Sequence, residues 1–300
     1  MPTVVVDRVA TGIRMTKAEL ERALTDVRRA VVEDERGNLR HVQGGEAVIW
    51  RAGQSGEYVI KAFRDDTESR AEPEFEKLLL LQPSRYVPKA YGFGRLVEDD
   101  GVEHRAIVEE YIRGVSLAKL VTSGKITGDV RNRRLSAMDT ALIVLELTRG
   151  IRELKRVGLA HRDISCRNVL IRNACVDERF VNGVDLCFID FGTSTYVTRK
   201  DATALGSGVR LATIPFGAPE MFGGRYRSRT ELGGDLAMPG RESSLTDVWS
   251  VGAIIVFLMW GEYWPQEIED IHRRQLASVL TVGFSETRRI AEAKERSIEL

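Results

Sequence analysis

The chain has 300 residues, 43% of them hydrophobic and 29% charged, which is ordinary for a globular chain and enough for two lobes or two small domains. Lys plus Arg total 44 and Asp plus Glu total 44, and this zero net charge argues against a general nucleic-acid or anionic-membrane binder. The three cysteines, Cys166, Cys175 and Cys187, lack metal-ligand spacing and suggest no disulfide framework.

Val4-Val5-Val6 is too short for the apolar core of a signal peptide and runs straight into Asp7 and Arg8. The most apolar stretch, Val248 to Trp260, falls short of the roughly 20 residues a bilayer span needs and reads as a buried helix. Both features point to a soluble protein in a reducing, cytoplasmic setting. In chain order, Thr16-Lys17-Ala18-Glu19 is a capping box. Leu20, Ala23, Leu24, Val27 and Val31 follow at helical spacing, which predicts a helix of roughly four turns, packed on the next region or serving as a docking arm.

From Leu39 to Phe63 the pattern changes to strands. Ala47–Ala52 and Tyr58–Phe63 flank the turn Gly53-Gln54-Ser55-Gly56 and predict a hairpin. Lys61, between Ile60 and Ala62, is either a strand-edge lysine reaching for water or a functional cation. Pro73 suits the first turn of a helix that runs into Leu78, Leu79, Leu80 and Leu81. Ile107 to Leu117 reads as an apolar strand, a link containing Gly114, and a helix start. Ala141 to Leu154 reads as a helix with Leu142, Leu145, Leu147 and Ile151 on its apolar face.

The next stretch is the most informative. Leu159 to Leu170 holds His161-Arg162-Asp163, a four-residue spacer and Asn168. Asp190-Phe191-Gly192, Ala218-Pro219-Glu220 and Thr246-Asp247-Val248-Trp249 follow. Together these resemble the signature motifs of the eukaryotic-type (Hanks-type) protein kinase superfamily, Ser/Thr kinase-like, over about residues 38 to 300. The resemblance implies an α+β, bilobal fold: a small lobe with an antiparallel sheet plus one helix, and a larger, mostly helical lobe. The expected division is 1–37 as an N-terminal extension with a helix, 38–112 as the small lobe and 113–300 as the large lobe, shortened at its end.

The resemblance also implies ATP and Mg²⁺ as cofactors and a protein substrate, while the zero net charge and the short apolar run set the expectation of no nucleic acid and no membrane span. Phosphoryl transfer requires positioning and charge neutralisation more than covalent chemistry. Asp163 is then the group that orients or accepts the attacking hydroxyl, and Asn168 and Asp190 hold magnesium. Lys61 holds the nucleotide's α and β phosphates, since Val59-Ile60-Lys61 is similar to the family's Val-Ala-Ile-Lys. Among Glu72, Glu74 and Glu76, Glu76 is the expected partner of that lysine, with Glu72 second. Gly44 and Gly45 stand for the phosphate-covering loop, which is thinner than the family's Gly-x-Gly-x-x-Gly-x-Val and has Glu46 near the third glycine.

Val48 is expected to cover the adenine, and Glu110 to Ile112 to form the hinge whose backbone pairs with it. Glu109 falls where the family usually has an apolar side chain. Asp247 is expected to accept backbone N–H bonds from the loop around His161. Thr193, Ser194, Thr195, Tyr196, Thr198, Thr203 and Ser207 lie in an activation-segment-like stretch, where a phosphate could pair with Arg162, Arg199, Lys200 or Arg210. Ser165 replaces the lysine of Ser/Thr-directed members and Arg167 fits tyrosine-directed ones. Thr213 fits the Ser/Thr class, which is the reading adopted. The alternative is a pseudokinase or nucleotide-binding scaffold, suggested by the thin glycine loop, Glu46, Glu109, Ser165 and the short C-terminal end. A small-molecule phosphotransferase is disfavoured by the activation-segment and Asp247 motifs.

Overall fold

A computed structural model describes residues 2–33, 39–41, 47–122, 135–174, 180, 183–197, 216–218 and 244–260. The chain divides into two compact units: Met1–Arg113 with Cys187–Gly192, and Gly114–Leu186 with Thr193–Leu300.

In the first unit the described elements are β1 (Thr3–Val9), α1 (Lys17–Ala23), β2 (Arg28–Arg29), β3 (Val31–Glu33), β4 (Leu39–His41), β5 (Ala47–Ala52), β6 (Tyr58–Phe63), a 3₁₀ turn at Glu68–Arg70, α2 (Ala71–Leu81), β7 (Ala90–Val97) and β8 (Glu103–Glu110). The main sheet has six strands in the order β1-β7-β8-β6-β5-β2. The predicted hairpin forms, with Ala47 opposite Phe63 and Ala52 opposite Tyr58.

Strand alternation gives this sheet two chemically different faces. One face carries Val4 and Val6 of β1 together with Trp50, Ala52, Tyr58, Ile60, Ala62, Ala106 and Val108, and packs against Leu20 of α1. The other face carries Phe93 and Lys61 and packs against α2. Phe75 of α2 stacks on Phe93 with ring centroids 5.6 Å apart.

The capping box is present, with the Glu19 amide donating to Thr16 Oγ1 and the Thr16 amide donating to Glu19 Oε2. The helix is much shorter than the spacing predicts. It ends at Ala23, and the chain turns through Asp26 at φ 53°. Leu24 and Val27 are buried at helix-like spacing, yet they enter the core from the segment after the helix. Val31 begins a strand. Burial of a side chain such as the fully enclosed Leu20 contributes about 1.5–3 kcal/mol and ties the short helix to the sheet.

The second unit contains β9 (Gly114–Ser116), α3 (Leu117–Thr122), α4 (Ala137–Arg156), β10 (Leu159–Ala160), β11 (Val169–Arg172), β13 (Thr195–Tyr196) and α5 (Ser244–Trp260). The strand β12 (Leu186–Phe188) crosses the sequence boundary between the units. Helix α4 begins earlier than expected because Ser136 caps it, its hydroxyl accepting from the Asp139 amide. Its buried side is Ile143, Leu147, Ile151 and Leu154, whereas Leu145 is exposed. Helix α5 packs on α4 and β10. Among the described residues, no helix is long and apolar enough to cross a membrane.

Candidate active site

In the first unit, β6 presents Lys61 on the α2 face of the sheet. Its ammonium donates to both oxygens of Glu74, at 2.7 and 3.0 Å, and to Asp190 Oδ1 at 2.6 Å. Burial opposes the lysine's charge, but Glu74, Asp190 and Glu109 outweigh it and raise its pKa, so the ammonium stays protonated. Glu74 Oε1 also accepts the Phe191 amide at 3.2 Å. One helix carboxylate therefore fixes both the lysine and the backbone that carries Asp190. Asp190 itself has φ 66°, a left-handed conformation that costs an ordinary residue about 1–3 kcal/mol and is commonly retained at functional sites.

The lysine's partner is thus Glu74, and the expectation of Glu76 is corrected. Helix α2 begins at Ala71, so Pro73 lies in its first turn as expected. Its buried side is Ala71, Glu74, Phe75, Leu78 and Leu81, at i, i+3 and i+4 steps. Glu76 points away from that side and pairs with Arg8 at 2.7 Å; Glu72 lies 3.9 Å from the same arginine.

A second correction concerns Val48. It stands opposite Ala62 and packs against the core on the α1 face, away from the lysine. Ile49 stands directly opposite Lys61, and cross-strand partners share a face. Ile49, Val59 and, opposite Lys61 on β8, Ile107 are therefore apolar side chains on the lysine's face. Gly44 and Gly45, with Glu46, lie outside the described residues.

At the end of β8, the Glu110 amide donates to Lys89 O at 2.8 Å and the Tyr111 amide to Glu57 O at 2.9 Å. Ile112, which follows, is buried, and no hydrogen bond of its main chain is seen among the described residues.

Glu109 is 8% exposed and stands opposite Val59, on the lysine's face. Its carboxyl is pushed up to about 8, by burial first and then by Glu74, with Lys61 pulling the other way. The fold thus keeps a proton that the unfolded chain surrenders above its ordinary 4.5. That contribution is complete below about pH 4.5 and is lost as pH rises to about 8. Glu109→Gln should therefore gain melting temperature over the parent progressively between about pH 5 and pH 8. A difference constant across that range would contradict the burial argument.

In the second unit, the loop after β10 carries the other chemistry. The Asn168 side-chain NH₂ donates to Asp163 Oδ2 at 2.8 Å and to Asp163 O at 3.0 Å. This orients the aspartate and turns the Asn168 amide oxygen away from it. Asp247 of α5 accepts the His161 amide on Oδ2 and the Arg162 amide on Oδ1, both at 2.8 Å, as the sequence suggested. Burial pushes the Asp247 carboxyl up to about 6, against the pull of those two bonds. Arg162, at φ 70°, donates from Nη1 to Thr193 O, and Thr193 Oγ1 donates to His161 O.

Ser165 is fully buried, and its carbonyl and hydroxyl both accept from the Asn168 amide, so it shapes the turn. Thr193 is already engaged and Ser194 is buried, while Tyr196 is exposed. Thr198, Arg199, Lys200, Thr203, Ser207, Arg210, Thr213, Pro219 and Glu220 lie outside the described residues.

Each unit by itself offers a donor of the kind magnesium takes: a carboxylate at Asp190 in the first and a neutral amide oxygen at Asn168 in the second. Among the described residues there is no group of three His, Cys, Asp or Glu that could hold a metal.

Residues 45–299 match the protein kinase domain, and the chain belongs to that family. Among its relatives is a probable serine/threonine-protein kinase of Dictyostelium discoideum, 27% identical over 180 residues, 58% of this chain and 23% of that protein. The serine/threonine-protein kinase SSK22 of Saccharomyces cerevisiae is 28% identical over 196 residues, 61% of this chain and 13% of that protein. The serine/threonine-protein kinase shk1/pak1 of Schizosaccharomyces pombe is 28% identical over 177 residues, 59% of this chain and 21% of that protein. The match thus spans less than a quarter of each of these relatives.

Proposed function

We propose that the chain is an ATP- and Mg²⁺-dependent protein kinase that transfers the γ-phosphoryl group to Ser or Thr hydroxyls of protein substrates, its own included. The observation that carries this reading is the Lys61 ammonium held by Glu74 and Asp190 at 2.6–3.0 Å. A buried, charged lysine held between two carboxylates supports a site for a nucleotide's phosphates. The names of the relatives, all serine/threonine-protein kinases, support the choice of acceptor.

In this reading Lys61 holds the α and β phosphates, and Ile49 and Val59 flank the base. Ile112 supplies hinge backbone groups, and Asn168 and Asp190 are the protein's magnesium ligands. Bound magnesium supplies charge neutralisation at the phosphates. Asp163 orients the acceptor hydroxyl and takes its proton as the oxygen–phosphorus bond forms and the bond to the leaving ADP oxygen breaks. Asn168 holds the Asp163 carboxylate for that task.

The test is transfer from labelled ATP with Mg²⁺ to mixed Ser/Thr and Tyr peptides. Label on Ser/Thr peptides is expected. Label on Tyr alone would overturn the acceptor assignment. Bound ATP with no label on any peptide or on the chain would favour a nucleotide-binding scaffold.

The same reading sets apart the helix glutamates. Glu74→Gln removes a charged partner worth about 1.5–3 kcal/mol, so ATP affinity should fall about 10–100-fold. Glu76→Gln should cost clearly less. Equal losses in the two variants, measured by titration with a fluorescent ATP analogue, would contradict the Glu74 assignment.

A further inference from the structure

The strand β1 carries two side chains that the proposed chemistry leaves unused. The Arg8 guanidinium lies 2.7 Å from Glu76 and 3.9 Å from Glu72, on the side of α2 that does not face Lys61. Its central carbon is 4.9 Å from the ring centre of Phe75, the neighbour of Glu74, and 6.0 Å from that of Phe93. The adjacent Asp7 pairs with Arg105 at 3.3 Å and Arg95 at 3.8 Å. Arg105 in turn lies 3.5 Å from Glu68, which opens the 3₁₀ turn leading into α2. Two consecutive residues of β1 therefore grip both the lead-in and the body of the helix that supplies Glu74.

Strand geometry explains how Arg8 gets there. Val4 and Val6 face the α1 side, so strict alternation would send Arg8 the same way. The register with β7 shifts between Val6 and Arg8, and this bulge re-aims the side chain toward α2. The strand is seated closely: a Cβ at Gly94 would lie 2.0 Å from Val5 O, so only glycine fits there. The Val6 amide also donates to Glu21 of α1 at 2.9 Å. Exposed ion pairs alone contribute little, and Arg8 and Glu76 are 42% and 48% exposed. A guanidinium that spans two carboxylates and stacks on a fully buried ring is a stronger, directional clamp.

We propose that Arg8 is a positioning residue: from β1 it holds α2 where Glu74 engages Lys61, so the segment Thr3–Val9 belongs to the machinery that grips the nucleotide. The proposal builds on the kinase reading, and its test separates the two. Arg8→Ala, Arg8→Lys and the charge-swapped pair Arg8→Glu with Glu76→Arg are compared by hydrogen exchange over Ala71–Leu81 and by affinity for a fluorescent ATP analogue with Mg²⁺. Arg8→Ala is expected to speed exchange in α2 about tenfold and weaken nucleotide binding about five- to tenfold. Arg8→Lys should recover only part, and the swapped pair should recover more than either of its single changes.

Gly94→Ala, which unseats the strand without touching Arg8, should loosen α2 in the same way. Unchanged exchange over Ala71–Leu81 in Arg8→Ala would overturn the proposal, as would affinity losses that merely track melting temperature across the set. If the parent binds no nucleotide, the kinase reading fails, while the exchange data still decide whether Arg8 holds the helix.

Discussion

Asp163→Ala should lower the rate of phosphoryl transfer by about 10²–10⁴-fold, the usual worth of a positioned proton acceptor. Nucleotide affinity should stay near the parent's, because Lys61, Asp190 and Ile112 are untouched. Melting temperature should change less than the rate, since the 2.8 Å side-chain bond from Asn168 is lost while the bond to the Asp163 carbonyl remains. The split between rate and affinity is the informative part. A variant within threefold of the parent rate, in steady-state assays at saturating ATP, would remove Asp163 from the chemistry.

The second large effect is on stability. Asp247 is 1% exposed and accepts two backbone N–H groups at the entrance to the loop that carries Asp163. Asp247→Ala leaves both donors without their acceptor, at about 1–3 kcal/mol each, so a loss of about 2–6 kcal/mol is expected in urea unfolding. Arg162 sits at φ 70° and depends on that acceptor to stay there. Activity should therefore fall further than the unfolded fraction explains. A loss under about 1 kcal/mol with normal activity would show that the loop holds its shape without the carboxylate.

What the sequence revealed depended on whether chemistry or packing chose the residue. Asp247 was legible because its task, accepting two loop amides, requires a carboxylate at a fixed place in a buried helix, and Asp163, Asn168 and Asp190 stand out in the sequence as polar groups at fixed spacing. Lys61 was legible because a charge inside an apolar strand needs a reason. Glu74 was not: Leu78, Leu79, Leu80 and Leu81 run around most of the helix, so the buried side cannot be read from them. Phe75 carries the weak signal, since Ala71, Phe75 and Leu78 share a side with Glu74.

Val48 and Ile49 are both apolar neighbours, and only the register across the hairpin separates their faces. The helix over-run had a similar cause. Leu24 and Val27 are buried at helical spacing although the chain has already turned away. The strand β1 gave no alternating signal, because its core-facing Val4 and Val6 enclose a third valine.

The central claim of the proposed function is that Lys61, Glu74 and Asp190 grip a nucleotide's phosphates and that Asp163 takes the proton of the acceptor hydroxyl. Its most direct test is a single-turnover reaction of the chain with labelled ATP, Mg²⁺ and Ser/Thr peptide, run beside Asp190→Asn and Asp163→Ala. The account predicts that label moves from ATP to the peptide or the chain in the parent and stays on ATP in both variants. Label that moves equally well in all three proteins, or parent protein that binds ATP and transfers nothing, would contradict it.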